Sequence, residues 1–214
     1  MDIFFVKHAI ENSIAAGVSE NTIVLLLLLP IVATVIAATR QIIGIRGFGI
    51  FLPVALSITF VAIGPLLGII LFLVIIAISM IVRVLTRKFR LKLQYLPKMA
   101  LILWFVSLGV LGIIFTTNIN VSIFPVLILT LLVEDFTRIQ LGKSFKTAFG
   151  LTYQTLILAI ISYLFLTHIP FQRLVYENPE IALITTFIVD IILGKYLGLR
   201  FMEYYRFRKL INSK

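Results

Sequence analysis

Apolar residues in this chain form long runs separated by short polar stretches, without the regular alternation of an amphipathic surface helix. A helix needs about 20 apolar residues to cross the hydrocarbon layer of a membrane. We therefore predict an all-α, polytopic membrane fold with seven transmembrane helices. The predicted spans are residues 22–39, 48–63, 65–82, 99–117, 121–133, 148–167 and 181–199. The second and fifth spans are short and each is interrupted by a proline, and Pro30 is expected to kink the first.

The flanks of this apolar region predict three parts. Residues 1–21 alternate apolar and charged side chains, a pattern typical of an amphipathic segment on the outer membrane surface. Residues 22–202 form the predicted transmembrane domain, and residues 203–214 form a basic cytoplasmic tail. The first twenty residues contain no long apolar run of a secretory signal, so the first span is expected to direct insertion.

The distribution of positive charge predicts the orientation of the spans. Cytoplasmic loops of membrane proteins carry an excess of lysine and arginine. With the N-terminus outside and seven crossings, all 19 basic residues except Lys7, Arg173 and Lys195 fall on the cytoplasmic side. If either short span is not counted as a crossing, the basic residues no longer collect on one side of the membrane. The pattern therefore predicts a multi-pass protein of a bacterial cytoplasmic membrane, with its C-terminus inside.

Composition agrees with lipid as the main solvent and excludes several functions. Hydrophobic residues make up 61% of the 214 residues and charged residues 13%, with a mean hydropathy of +1.14; soluble domains contain about twice that charged fraction. Cysteine is absent and the two histidines lie far apart, so we expect neither a metal centre nor a cofactor. The net charge of +10 lies between apolar runs, which argues against nucleic acid as a partner.

The two short spans resemble one another around their prolines. Residues 50–56 (IFLPVAL) align with residues 122–128 (SIFPVLI) on Pro53 and Pro125. Each short span opens a group of three, so a repeat would be an inverted 3+3 arrangement. Paired short, proline-interrupted segments indicate a binding site at a repeat interface. The alternative is chance, because phenylalanine and proline recur in this apolar sequence.

One carboxylate lies within the last predicted span. A charged side chain near the bilayer centre costs roughly 2.5–3.5 kcal/mol on insertion scales, so such a residue usually has a role. Asp190 shares a predicted helix face with Thr186, Gly194 and Gly198, and the glycine spacing favours close approach of another helix. We expect Asp190 to face the bundle interior. It is either a proton or cation coupling site or a neutral hydrogen-bonding group between helices.

Two further segments carry candidate binding residues. Gly44-Ile45-Arg46-Gly47-Phe48-Gly49 places a positive charge among glycines, an arrangement that suits a carboxylate or phosphate; the alternative is a flexible connection. The substrate-binding hypothesis comprises Arg46, Gly47, Gly49, Pro53, Pro125, Glu134 and Asp135. The last two residues end the fifth span, as a solvated cap or as the lining of an inward-facing vestibule.

A basic segment joins the third and fourth spans. Its positive charges are interleaved with aromatic and aliphatic side chains, and include Arg87, Lys88, Arg90, Lys92 and Lys98. Such a segment is typical of contact with the anionic inner leaflet, and docking of an acidic partner is the alternative. The sequence contains no nucleophile–base pair, phosphate-binding loop or zinc motif. We therefore expect no catalytic activity.

Three strings resemble a known bacterial family, the seven-helix domain usually fused to an inactive transglutaminase. They are residues 43–54 (IGIRGFGIFLPV), 96–100 (LPKMA) and 124–136 (FPVLILTLLVEDF), the last with Asp135 in place of the family's arginine. The membrane subunit of poly-γ-glutamate synthases is similar more distantly. Because the family domain follows a periplasmic module, the resemblance implies an N-terminus outside.

The resemblance implies an association with ATP-grasp amide ligases and with glutamate-type peptides. Our leading hypothesis is a non-enzymatic membrane component of such a ligase system, acting as a conduit or docking platform for an acidic peptide. A second hypothesis is a secondary transporter for a small anion, coupled through Asp190. A third is a structural anchor that recruits a cytoplasmic enzyme. Lipid, the ligase and the acidic peptide are the expected partners.

Overall fold

A computed structural model describes residues 5–89, 94–117, 124–132 and 145–204 apart from residues 197, 199 and 203. Within these ranges the regular secondary structure is helical and contains no strand. The helices are α1 (Phe5–Ala15), α2 (Glu20–Ala38), α3 (Phe51–Ile63), α4 (Pro65–Lys88), α5 (Tyr95–Thr117), α6 (residues 124–132), α7 (Phe145–Thr167), α8 (Ile169–Glu177) and α9 (Pro179–Lys195). The predicted all-α class is confirmed for this part of the chain.

Four of these helices are long and apolar enough to cross a membrane. They are Glu20–Ile43, Pro65–Thr86, Tyr95–Thr116 and Thr147–Thr167, and they coincide with the first, third, fourth and sixth predicted spans. Helix α3 is apolar but has only 13 residues, and α9 has 17. The fifth predicted span is described only as α6, since residues 121–123 and 133 lie outside the described ranges. The chain is thus a multi-pass membrane protein by the length and composition of four helices.

Hydroxyl groups inside the apolar helices bond to their own backbone. Thr34 Oγ1 donates to the Pro30 carbonyl oxygen at 3.1 Å, and Thr155 Oγ1 donates to the Leu151 carbonyl oxygen at 2.8 Å. In hydrocarbon an unpaired polar group costs several kcal/mol. Each of these hydroxyl groups donates to the carbonyl oxygen four residues earlier in its own helix. It therefore needs no hydrogen-bond partner on a neighbouring helix.

The two prolines lie at different positions in their helices. Helix α2 continues through Pro30 from Glu20 to Ala38, and the predicted kink at Pro30 stays a prediction. Pro53 is the third residue of α3, in the first turn, where a helix loses no internal hydrogen bond through the missing proline N–H. The prediction that Pro53 interrupts its span is therefore wrong: α3 is short because it begins at Phe51.

Residues 1–54 and 157–214 form the first of two compact units. Helix α2 is central in it and contacts α8 and α9. Leu28, Val32 and Ile36 occupy one side of α2 and are at most 1% exposed. These side chains recur at helical spacing, which explains why this face of α2 packs against protein.

Helix α1 is fixed to the start of α9 in the same unit. The Lys7 backbone N–H donates to Glu180 Oε1 at 2.8 Å. Lys7 lies in the first turn of α1, whose N–H groups have no partner within the helix, so the carboxylate caps it. This bond lowers the pKa of Glu180, which lies before the apolar part of α9. The predicted amphipathic segment is thus a helix, and the bond from Lys7 to Glu180 anchors it to α9.

Helix α8 was not predicted from the sequence. It occupies the connection between the sixth and seventh predicted spans, with Pro170 in its first turn. Val175 is buried, whereas Ile169 and Leu174 are more than half exposed. Its nine residues are fewer than the window of about 11–18 residues over which helical periodicity is judged, so the sequence does not distinguish this helix from a connection.

The second unit, Ala55–Leu156, is built around the pairing of α4 with α5. A Cβ atom added at Gly109 of α5 would overlap Ile78 Cδ1 of α4. The absent side chain at position 109 therefore lets the two helices approach closely. At Gly68 of α4, an added Cβ atom would overlap the fully buried ring of Phe60 in α3.

Candidate functional site

The end of α2 changes from α-helix to π-helix over Thr39–Ile43. The turn ends at Gly44, whose φ of 94° lies in the left-handed region that glycine tolerates best. The Gly44 N–H donates to the Thr39 carbonyl oxygen at 3.2 Å. π-Helical turns are rare and occur frequently at functional sites, because the wider turn redirects the side chains that follow it.

The π-helical turn is bonded to the end of α9. Gln41 Nε2 donates to the carbonyl oxygens of Leu193 at 3.4 Å and Tyr196 at 3.2 Å. The Leu193 carbonyl oxygen also accepts a hydrogen bond from the Tyr196 N–H at 3.1 Å, so Gln41 is its second donor. Both bonds from Gln41 cross a sequence separation of more than 150 residues, and this fixes the chain after α9 against the end of α2.

Arg200 lies directly over Gly44. A Cβ atom added at Gly44 would stand 3.2 Å from Arg200 Cβ and 3.4 Å from Arg200 Cδ, which is tighter than ordinary van der Waals contact. Position 44 thus requires glycine for two reasons, its left-handed backbone and the aliphatic part of Arg200 packed on it. This close approach holds Arg200 beside the residues that surround the turn.

A cavity of about 290 Å³ lies at this junction, within the first unit. Three arginines and one amide line it, together with three apolar side chains: Arg40, Gln41, Arg46 and Arg200, with Ala37, Ile45 and Ile50. Three arginine side chains line one small space, and their like charges favour an anion placed among them. The guanidinium geometry matches carboxylate and phosphate groups through paired hydrogen bonds. We call these seven residues the arginine cavity.

The glycine–arginine segment is only partly the site that the sequence predicted. Arg46 lines the arginine cavity, as its charge suggested. Phe48 is 1% exposed and anchors the segment, whereas a Cβ atom added at Gly49 would meet no atom within 4 Å. Gly47 lies in the same irregular connection and is half-buried. Pro53 is buried in α3.

The remaining predicted binding residues are not brought to this cavity. Pro125 is buried in α6, within the second unit. Glu134 and Asp135 lie outside the described residues. In the basic segment Lys88 is exposed and Lys98 half-buried; Arg87 belongs to α4 by its backbone, and Arg90 and Lys92 fall outside the described ranges. Their binding roles stay predictions.

Asp190 is not in the interior that we predicted for it. Its side chain is exposed, and the buried residues of α9 are Pro179, Thr186 and Leu193. Gly194 is also exposed, and a Cβ atom added there would meet nothing within 4 Å. At Gly198 the nearest atoms that it would meet belong to the ring of Tyr196. Within the first unit the buried residues of α9 are Pro179, Thr186 and Leu193, spaced seven apart. The expected helix packing on Gly194 and Gly198 stays a prediction.

Sequence reasoning missed Arg40, Gln41 and Arg200 as site residues. Arg40 and Arg200 were assigned only to cytoplasmic flanks, where basic residues are common. One signal was available in the sequence. Arg40 and Arg200 each directly follow an apolar run, and both runs are predicted to end on the cytoplasmic side. The juxtaposition itself comes from the packing of α2 on α9.

Comparison with known proteins gives one family. A family model described as seven transmembrane helices usually fused to an inactive transglutaminase matches residues 8–211. No curated protein and no solved structure matches the chain. In the part of the chain that the structure describes, no group of three histidine, aspartate or glutamate residues could hold a metal ion.

Proposed function

The chain belongs to the family of seven-transmembrane-helix domains usually fused to an inactive transglutaminase, and on this premise we propose that it is a non-enzymatic component of a bacterial amide-ligase system. In this proposal it holds an acidic, glutamate-type peptide at the cytoplasmic membrane for an ATP-grasp ligase, as a conduit or docking platform. Seven spans with the N-terminus outside form part of the proposal, supported by the distribution of lysine and arginine.

The observation that carries this proposal is the arginine cavity. Three arginines are among the residues that line a space of about 290 Å³, which is near the lower limit of small-molecule sites at roughly 300–1,000 Å³. A charge-assisted hydrogen bond contributes about 1.5–3 kcal/mol, more than a neutral one. A carboxylate is therefore a fitting ligand for this site, and a glutamate-type peptide offers one on every residue.

The predicted location of the cavity suits a ligase as partner. Arg40, Arg46 and Arg200 all belong to predicted cytoplasmic connections, and the ATP that such a ligase consumes is cytoplasmic. In our proposal the basic segment at residues 83–98 adds a second attractive surface, for the acidic peptide or for the ligase. Its exposed Lys88 supports this part of the proposal.

Peptide binding by the full-length protein in nanodiscs tests the proposal. We expect fluorescein-labelled oligoglutamate to bind the wild type and to bind the Arg40→Gln/Arg200→Gln variant at least tenfold more weakly, because two charge-assisted contacts are lost. Fluorescence anisotropy measures the affinity. Oligolysine with the same label should not bind.

The matched control is Lys7→Gln/Arg173→Gln, which removes two charges from the predicted outer side. Its oligoglutamate affinity should equal that of the wild type. Equal weakening in both double variants would mean that net charge attracts the peptide, and would contradict a site in the cavity. Thermal unfolding of each variant verifies that the fold is retained.

The alternative of a transporter coupled through Asp190 receives less support. A coupling carboxylate is expected to face the bundle interior or a water-filled cavity. Asp190 is exposed, and Thr186, one turn earlier, is the buried neighbour. The platform is therefore the function that the geometry supports better.

A further inference from the structure

The arginine cavity has three kinds of surface. Guanidinium groups provide positive charge, and Ala37, Ile45 and Ile50 provide apolar contact. Gln41 adds a neutral amide between them. A lone inorganic anion would use only the charged surface. The combination fits a ligand that carries carboxylates on a short aliphatic chain.

The Gln41 amide has a defined orientation. Its nitrogen donates to both the Leu193 and Tyr196 carbonyl oxygens, so both amide protons are used within the protein. The carbonyl oxygen of the same amide is the group that can accept a hydrogen bond from a ligand. A bound peptide offers such a donor in its backbone N–H.

We infer that the arginine cavity recognises the free terminal residue of an acidic peptide: a dicarboxylate unit with one amide N–H. The inference rests on the proposed function and names the part of the peptide that binds. The two carboxylates of a terminal glutamyl residue contact the guanidinium groups of Arg40, Arg46 and Arg200. Its methylene groups lie on the apolar surface, and its N–H donates to Gln41 Oε1.

Charge and size favour a chain end over a chain interior. An interior residue of an α- or γ-linked glutamate chain carries one free carboxylate, whereas the terminal residue carries two. Two carboxylates balance most of the charge of three guanidinium groups, and paired guanidinium contacts favour planar carboxylates. A cavity of about 290 Å³ also admits one residue more readily than a continuous strand that must enter and leave.

Two N-acetylated peptides with equal charge separate the terminal residue from the net charge. Triglutamate with a free terminal carboxylate and tetraglutamate with a terminal amide both carry four carboxylates. We expect the free-ended peptide to bind the wild-type protein in nanodiscs at least tenfold more tightly, as measured by calorimetry. In Arg200→Gln this preference should fall to less than threefold.

The outcomes distinguish this inference from the proposed function. Equal affinities for the two peptides would overturn terminal recognition and leave acidic-peptide binding intact. Binding of neither peptide would overturn both. The comparison uses wild-type protein, so it does not depend on a variant that folds.

A third peptide tests the role of Gln41. Methylation of the last amide nitrogen of the free-ended triglutamate removes the N–H donor and leaves every carboxylate in place. We expect its affinity to fall by about fivefold, consistent with the loss of one neutral hydrogen bond. An unchanged affinity would remove Gln41 from the recognition site.

Discussion

The carboxylate of Glu180 in α9 accepts a hydrogen bond from the Lys7 N–H in α1, and this makes the contact between the two helices dependent on pH. The bond from the Lys7 N–H lowers the pKa of Glu180, so the contact stabilises the fold above the ordinary carboxyl pKa. That stabilisation is lost as the pH falls through the lowered pKa, because a protonated carboxyl group is a weaker acceptor.

We expect Glu180→Gln to weaken the contact of α1 at neutral pH, because an amide oxygen is a weaker acceptor than a carboxylate, and to abolish this pH dependence. Hydrogen exchange of the α1 amides measures it: exchange should be faster in the variant than in the wild type at pH 7, and the two should converge under acidic conditions. Glu177→Gln, an exposed neighbour in α8, serves as the control. Identical α1 exchange in wild type and Glu180→Gln at pH 7 would show that the carboxylate does not hold α1.

Local sequence indicated Arg46 as a candidate site residue, but it did not indicate residues whose position depends on distant packing. Arg46 was selected for its positive charge among glycines; it lines the arginine cavity, and its anion-binding role stays a prediction. Arg40 and Arg200 reach the same cavity only because α2 packs on α9. Asp190 was assigned to the interior from its cost in lipid, yet the buried side of α9 contains Thr186 instead. Helical spacing shows which residues share one face of a helix, but it does not show which face a neighbouring helix covers.

At the scale of helices, α4 and α5 approach each other closely at Gly109. Gly109 faces Ile78, whereas a Cβ atom added at Gly112, one turn further along α5, would meet nothing within 4 Å. We expect Gly109→Ala to lower the free energy of unfolding by about 1 kcal/mol, because the end of the Ile78 side chain has to shift to make room. Gly112→Ala should leave it unchanged or raise it slightly, because alanine favours the helix.

Thermal unfolding of the two alanine variants in the same detergent makes this comparison. In an Ile78→Ala background Gly109→Ala should cost less than it does in the wild type, since the side chain that is struck is absent. Equal stability of Gly109→Ala and Gly112→Ala would contradict the close packing of α4 on α5.

The length of an apolar run predicted that a helix is present, but it predicted less well where that helix begins and ends. The first, third, fourth and sixth predicted spans coincide with α2, α4, α5 and α7. Hydropathy ends at the last apolar residue, but the helices continue: α4 extends to Lys88 and α5 begins at Tyr95. The π-helical turn depends on a glycine cap and on bonds to α9, which apolar periodicity does not report.

At the scale of the whole molecule, the seven-span topology is open to direct measurement. The chain contains no cysteine, so single cysteines can be introduced without a background. We expect labelling from the cytoplasmic side at positions near 92, 142 and 210, and from the outside near 10, 119 and 175. Positions 92 and 119 on the same side would contradict seven spans.

The fold class of the protein follows directly from its sequence. The number of transmembrane helices follows less directly. Apolar composition alone indicates helices in lipid, and the family match agrees with a multi-pass protein. Four helices meet the length and hydropathy of a span, and α3 and α9 are shorter. The inverted repeat remains a prediction. Pro53 and Pro125 are both buried, as expected for residues near a binding site, but burial does not test symmetry.

The arginine cavity joins residues that are synthesised at different times. Arg200 leaves the ribosome roughly 8–30 s after Arg40 and Arg46, at typical elongation rates of about 5–20 residues per second. In the interval Arg40 and Arg46 are free to orient the nascent helices in the membrane. Only a chain that has been extended past position 200 gains the third arginine. Ligand binding would then distinguish chains that include Arg200 from shorter ones.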